Sequence, residues 1–168
     1  MAIPSRIAAY FHRTVDFWFG TWPQPVPHKT RLSNCKIISH RGEHDNRTVF
    51  ENTLAAFDRV YQAGGWGIEF DIRWTKDLEP VVIHDPDMKR VFRENLQVRE
   101  ATLREVKARC PMVPALAEVV QHYGGKIHLM MEIKAEDYPA PALQSRILQD
   151  PVSYTHLTLP TTLPRGRA

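Results

Sequence analysis

Long apolar runs are missing from this chain. No stretch approaches the roughly 18 residues that a membrane-spanning helix requires. The N-terminus carries Arg6 without an apolar segment or a small-residue cleavage site behind it, so no secretory signal is expected. Cysteine is scarce as well. Cys35 and Cys110 show neither metal-ligand spacing nor a disulfide framework, which favours a reducing compartment and a cytoplasmic location. A glycine-rich phosphate loop is absent too, which argues against an open nucleotide-binding sheet. Charge of one sign is not in excess. The formal net charge is +3, but Arg165 and Arg167 lie in an unusual tail, and residues 1–150 carry 20 basic against 19 acidic residues. Neither a nucleic-acid nor a membrane partner follows from that balance.

What remains is an ordinary globular composition, 43% hydrophobic and 24% charged over 168 residues, enough for one domain with a real core. Residues 5–19 place Ile7, Tyr10, Phe11, Phe17 and Trp18 on a loosely helical stripe, ended by Gly20 and the proline-rich residues 23–27. Two readings fit: a helix packed on the domain, or an aromatic, basic helix in peripheral contact with a membrane. The short helix and its few basic residues favour packing. Strands are then predicted at Cys35–His40, Gly67–Trp74, Pro80–His84 and Lys126–Lys134, all reading as buried and parallel. Helices are predicted from Asn52 or Thr53 as cap to Gly64, over Thr102–Arg109 and Ala115–His122, and from Pro141 to about Asp150.

Charged and polar residues collect at the C-terminal ends of these strands: His40 and Arg41, then Glu69 and Asp71, then His84 and Asp85, then Glu132 and Lys134. Inward-facing charge at strand ends is the pattern by which α/β barrels build active sites. Glu69, Asp71 and Glu132 are oxygen donors of the kind that calcium or magnesium takes, and zinc fits them less well. The same spacing also fits an ion network with Arg73 or Lys134. His40 and His84, at matching positions on two strands, suit a shared acid and base role near neutral pH. Arg41 and Lys134 supply positive charge for an anion, and together these groups suggest phosphodiester hydrolysis.

His40-Arg41-Gly42, ENTLAAF at 51–57, GIEFDIRWTKDLEPVVIHD at 67–85 and MEIK at 131–134 closely resemble the glycerophosphodiester phosphodiesterase family; TLREVK at 102–107 and VPALAEVV at 113–120 fit it more loosely. The resemblance covers about residues 35–135. It implies a (βα)8 TIM barrel and metal-dependent cleavage of a glycerophosphodiester, a small-molecule substrate, to an alcohol and glycerol 3-phosphate. By position it assigns His40 and His84 as the catalytic pair and Glu69, Asp71 and Glu132 as ligands of a divalent cation, Ca2+ or Mg2+. Arg41 and Lys134 would bind the phosphate, and Glu51 and Asn52 would brace the site. It further implies attack by the glycerol 2-hydroxyl through a cyclic phosphate. Alternatives within the same fold are cleavage of a lysophospholipid or sphingolipid headgroup, or a non-catalytic barrel that binds phosphodiesters. Two departures stand out: Phe50 replaces the family's common proline, and Gly64-Gly65-Trp66 is bulkier than usual.

Such a barrel needs about 250 residues, and the recognisable part halts near the fourth strand and its helix. The expected organisation is an aromatic helical segment and linker over 1–30, the first half of a barrel over 31–150, and a non-native tail over 151–168. That tail has three prolines, six hydroxyl residues and no acid, and residues 151–161 match a transposase-type sequencing adapter read as protein. Pro160 and Pro164 predict that it adds no strand.

Overall fold

A computed structural model describes residues 14–21, 28–134, 138–152 and 157–158. It divides into two units, Met1–Cys35 and Lys36–Ala168. In the first, residues 14–21 form helix α1, with Phe17, Trp18 and Phe19 exposed, and Lys29–Ser33 form α2. The rest of the predicted aromatic stripe and the proline-rich residues lie outside the described residues. Among the described residues no helix is long and apolar enough to cross a membrane.

The second unit is a mostly parallel sheet with helices against it. Strand β1 (Ile38–His40) pairs in parallel with β2 (Gly67–Trp74), and β2 pairs in parallel with β4 (His128–Ile133). Between β1 and β2 runs α3 (Leu54–Gln62). Thr53 caps it, its hydroxyl accepting from the Ala56 amide at 3.3 Å, so that Ala56, Phe57 and Val60 turn inward. β1 and β4 are each shorter than their apolar patterns suggest. Both begin where β2 offers a partner, Ile38 and His128 each facing Gly67 across the ladder.

Strand β3 (Pro80–Val82) is not parallel. It runs antiparallel to β2, with Ile72 opposite Val82 and Trp74 opposite Pro80. The reason is the connection: five residues, Thr75 to Glu79, suffice for a hairpin, whereas a parallel return needs a crossover of about a dozen or more. The Thr75 hydroxyl closes this turn by donating to Asp77 at 2.6 Å and accepting from the Glu79 amide at 2.9 Å. The chain continues through α4 (Lys89–Phe92), a 3-10 turn at Val98–Glu100, α5 (Leu103–Arg109), α6 (Leu116–Tyr123) and, after β4, α7 (Pro141–Val152). A capping box between Thr102 and Glu105 starts α5. Leu157–Thr158 form β5, a two-residue parallel partner for β4. The tail therefore does add a strand, through backbone pairing at Leu157 and Thr158.

Ile68, Phe70 and Ile72, on the apolar face of β2, are fully buried with Phe57 of α3, Leu116 and Val119 of α6, and Leu129 and Met131 of β4. Each such side chain contributes about 1.5–3 kcal/mol. Tyr123 fastens α6 to α3, its hydroxyl donating to the Leu54 carbonyl and the Asp58 carboxylate at 3.0 and 2.7 Å. A second cluster around Val81, Met88, Val98, Val106 and Val113 seats the hairpin arm and α5. The bulky Trp66 stacks on His128 with ring centroids 4.2 Å apart, and Lys36 lies over its ring, so it packs at the strand N-termini, away from the charged end.

Candidate active site

The charged end of the sheet is built on β2. Alternation puts Glu69 and Asp71 on the face opposite the apolar core, and both are buried, Asp71 completely. At the end of β1 the chain turns sharply through Arg41 (φ 58) and Gly42 (φ 79). Gly42 is required twice over: its φ is left-handed, and a Cβ there would lie 2.8 Å from Ala56 and Phe57. The turn is pinned by the Arg41 amide donating to the Glu69 carbonyl at 2.9 Å, and by the Asn52 amide donating to the Arg41 carbonyl at 3.0 Å. Asn52, itself at φ 57, donates its side-chain amide to Asp71 at 2.9 Å.

Three carboxylates converge. One oxygen from each of Glu69, Asp71 and Glu132 lies within 4.8 Å of the others. Asp71 takes both nearby cations, Lys134 at 2.7 Å and Arg41 at 3.1 Å. Burial alone would raise its pKa, but Lys134, Asn52 and Arg41 together hold it below the ordinary carboxylate value. Lys134 also bonds Glu132 at 2.6 Å, and although burial pulls its pKa down, the two carboxylates carry it above normal. Glu69 differs. Its polar contacts among the described residues are the Arg41 amide at 3.3 Å and the His40 ring at 3.8 Å, with no Lys or Arg. Burial and the charge of Asp71 raise its pKa. An all-oxygen donor set with an undercompensated buried carboxylate is what a hard divalent cation fits.

The histidines flank this cluster and share no contact with each other among the described residues. His40 projects outward, its side chain 67% exposed, beside Glu69. His84 follows β3, where Arg73 donates to its carbonyl at 2.6 Å, and its Nδ1 lies 2.7 Å from Asp85. Contact with Asp85 at Nδ1 leaves Nε2 as the nitrogen available for proton transfer. Arg41, Lys134 and Asn52 each reach Asp71, and Glu51 joins them through Arg41, so every residue singled out in the sequence stands at this end of the sheet.

One residue was missed. Arg90 of α4 grips Glu51 with two nitrogens, at 2.5 and 3.0 Å, and Asp85 with its Nε at 2.6 Å. Glu51 in turn bonds Arg41 at 3.0 Å and Asn46 at 2.7 Å. This chain of ion pairs joins the His84 arm to the acidic cluster. Burial opposes ionisation of Glu51, but Arg90 and Asn46 hold its pKa down at about 2, against an ordinary 4.5. The folded value lies below the unfolded one. The stabilisation is therefore complete above about pH 4.5 and disappears as pH falls toward 2. Glu51→Gln is expected to flatten acid unfolding across that window, followed by tryptophan fluorescence; an unchanged acid limb would remove Glu51 from the account.

A mostly parallel α/β sheet with acidic, basic and imidazole groups gathered at its strand ends is the arrangement in which α/β-barrel enzymes place their active sites. The chain belongs to the glycerophosphoryl diester phosphodiesterase family, which matches residues 40–147. The family is one of phosphoric diester hydrolases. Among its relatives is the glycerophosphodiester phosphodiesterase of Caldanaerobacter subterraneus subsp. tengcongensis, 34% identical over 125 residues, covering 67% of this chain and 51% of that protein. The solved glycerophosphodiester phosphodiesterase of Thermotoga maritima superposes with a TM-score of 0.64 at 30% identity, over 74% of this chain and 52% of that one. The Agrobacterium tumefaciens enzyme gives 0.60 at 29%, over 74% and 57%. These neighbours are TIM-barrel proteins, and the present sheet covers part of that barrel. The chain spans about half the length of the Caldanaerobacter and Thermotoga proteins.

Proposed function

We propose that the full-length protein hydrolyses glycerophosphodiesters to an alcohol and glycerol 3-phosphate, using a divalent cation, Ca2+ or Mg2+, and the pair His40 and His84. The observation that carries this reading is the convergence of Glu69, Asp71 and Glu132 at the strand ends, flanked by the two histidines. These three acids would hold the cation, which when bound supplies positive charge to a phosphoryl oxygen and acidifies a nearby hydroxyl. Arg41 and Lys134 keep donors to spare. Lys134 spends two of its three N–H groups on Asp71 and Glu132, and Arg41 has five in a fork. Both can therefore bind phosphoryl oxygens while remaining anchored.

The proton steps fall to the histidines. One takes the proton of the glycerol 2-hydroxyl as that oxygen attacks phosphorus. The bond from phosphorus to the alcohol oxygen breaks, and the other histidine gives its proton to the departing alkoxide. A water then attacks the cyclic phosphate, losing its proton to the histidine that had given one. The bond from phosphorus to the 2-oxygen breaks, that oxygen is reprotonated by the first histidine, and both return to their starting states. Glu51 and Asn52 brace the arrangement through Arg41 and Asp71.

The assay is release of glycerol 3-phosphate from glycerophosphocholine by the full-length protein, with calcium or magnesium and then with chelator. Release with either ion and its loss on chelation is expected; no release with either ion would end the proposal. Lysophosphatidylcholine in the same assay separates the headgroup alternative. The 168-residue chain alone is proposed to be inactive, with residues 151–168 foreign to the protein. In the sheet described here β1 has one neighbour, and β4 is covered over only two residues by β5, so the backbone edges that a closed barrel removes are present. Turnover well below that of the full-length product, and a broad thermal melt, are expected. A cooperative melt with comparable turnover would overturn this.

A further inference from the structure

Beside the Arg90 ion pairs lies a cavity of about 520 Å³, framed by the loop at Asn46 and Arg47, by α4, and by residues 109–112. It adjoins the site through two shared residues. Asn46 and Arg90 line it, and both also bond the Glu51 carboxylate that holds Arg41. Arg90 further bonds Asp85, the carboxylate against Nδ1 of His84, so the cavity lies on the His84 side of the site.

Its lining is unusual in charge. Arg47, Arg90, Arg93 and Arg109 contribute to it, against one acid, Glu94. Arg90 is balanced by Glu51 and Asp85, and Arg109 by Glu94 at 2.6 Å. The guanidinium groups of Arg47 and Arg93 have no ion pair among the described residues, and both residues are exposed. Arg93 ends α4 in the left-handed conformation (φ 58), an uncommon backbone for a residue other than glycine, asparagine or aspartate. The remaining wall is apolar. Phe50 and Phe92 meet with ring centroids 5.8 Å apart, and Met112 stands beside them, half-exposed. Phe50 occupies the position where a proline was expected, so this aromatic wall is a feature of the chain's own sequence.

We infer that this cavity is the subsite for the leaving alcohol, and that it selects glycerophosphodiesters whose alcohol combines a ring or apolar surface with an anionic group. The inference rests on the phosphodiesterase reading above and adds a substrate class to it. A cationic alcohol such as choline would meet two guanidinium groups that have no ion pair among the described residues. A neutral alcohol would find only the apolar wall. A phosphate or carboxylate on the alcohol would receive forked, charge-assisted hydrogen bonds from Arg47 and Arg93, while the body of the alcohol packs on Phe50 and Phe92.

The test compares three substrates with the full-length protein: glycerophosphocholine, glycerophosphoinositol and glycerophosphoinositol 4-phosphate. The last two differ only by the anionic group. The expected kcat/KM for the phosphorylated substrate is about tenfold or more above that of its parent with an uncharged alcohol, the scale of one charge-assisted hydrogen bond, with the choline substrate lowest. In Arg47→Gln and in Arg93→Asn, whose asparagine tolerates the left-handed backbone, the ratio between those two inositol substrates should fall toward one. Arg47→Lys should restore part of it. Equal kcat/KM for all three substrates, or an unchanged ratio in both variants, would overturn the subsite while leaving the phosphodiesterase reading in place. Failure to hydrolyse any of the three would overturn both.

Discussion

Replacing His84 or His40 by alanine is expected to lower kcat of the full-length protein by about 10²–10⁴-fold, the range a positioned acid or base supplies. Affinity for the divalent cation should stay close to that of the parent. Neither imidazole belongs to the carboxylate cluster: His84 is committed to Asp85, and His40 stands 3.8 Å from Glu69 with most of its ring in solvent. The two replacements should also change the pH dependence. A pair that shares acid and base duty gives a bell-shaped profile in kcat/KM, and losing one member removes one limb. Turnover measured across pH, with calorimetric titration of calcium or magnesium into each variant, checks both halves. A histidine variant that lost the cation along with activity would make that residue a ligand instead of a proton carrier. A variant with near-normal turnover would remove it from the mechanism.

The parts of this molecule that were legible in the sequence are those governed by local rules. Gly67–Trp74 was readable as a strand with its observed limits, because alternating residues sit between glycines on one side and a polar turn on the other. Thr53 was one of two candidate caps for α3, and it is the one used; Asn52 turns its amide to Asp71 instead. The starts of β1 and β4 were placed three and two residues too early, since strand length is set by the neighbour, and β2 begins at Gly67. The direction of β3 was misread because a short apolar run looks the same in either orientation; only the five-residue link betrays it.

The acids and histidines of the site were legible through their repeated position at strand ends. Arg90 was not, since its partners Glu51 and Asp85 lie 39 and 5 residues away, and neither spacing follows from helix or strand periodicity. The cavity near it was equally hidden. Phe50 and Phe92 are 42 residues apart, and only the fold makes them neighbours. Among the described residues, three of the five left-handed non-glycine residues, Arg41, Asn46 and Asn52, fall in the loop that carries the candidate site. Such strain collects where a scaffold holds functional groups in place, and single residues give no sign of it beyond the two asparagines.

Glu69 and Asp71 are two residues apart on one strand face, yet opposite outcomes are expected when each loses its charge. Asp71 is fully buried and balances Arg41 and Lys134, so Asp71→Ala leaves two largely buried cations short of a partner. Breaking a buried pair in this way costs about 3–5 kcal/mol, and the lower end applies here because Glu51 and Glu132 still face those cations. Glu69 has no such cation among the described residues, and burial with the neighbouring Asp71 charge already raises its pKa. The folded state therefore binds the Glu69 proton more tightly than the unfolded chain does, and its ionisation lowers stability as pH rises through the raised value. In the presence of chelator, Glu69→Gln should melt at or above the parent temperature, whereas Asp71→Ala should melt well below it. Adding calcium or magnesium should raise the melting temperature of the parent by mass action, and of neither variant by a comparable amount, since each has lost one of three ligands. Thermal melts of the full-length protein and both variants, with chelator and then with each ion, provide the measurement. A Glu69→Gln protein that is strongly destabilised in chelator would show that Glu69 is a structural ion-pair partner, and the assignment of the acidic cluster to a cation would fall with it.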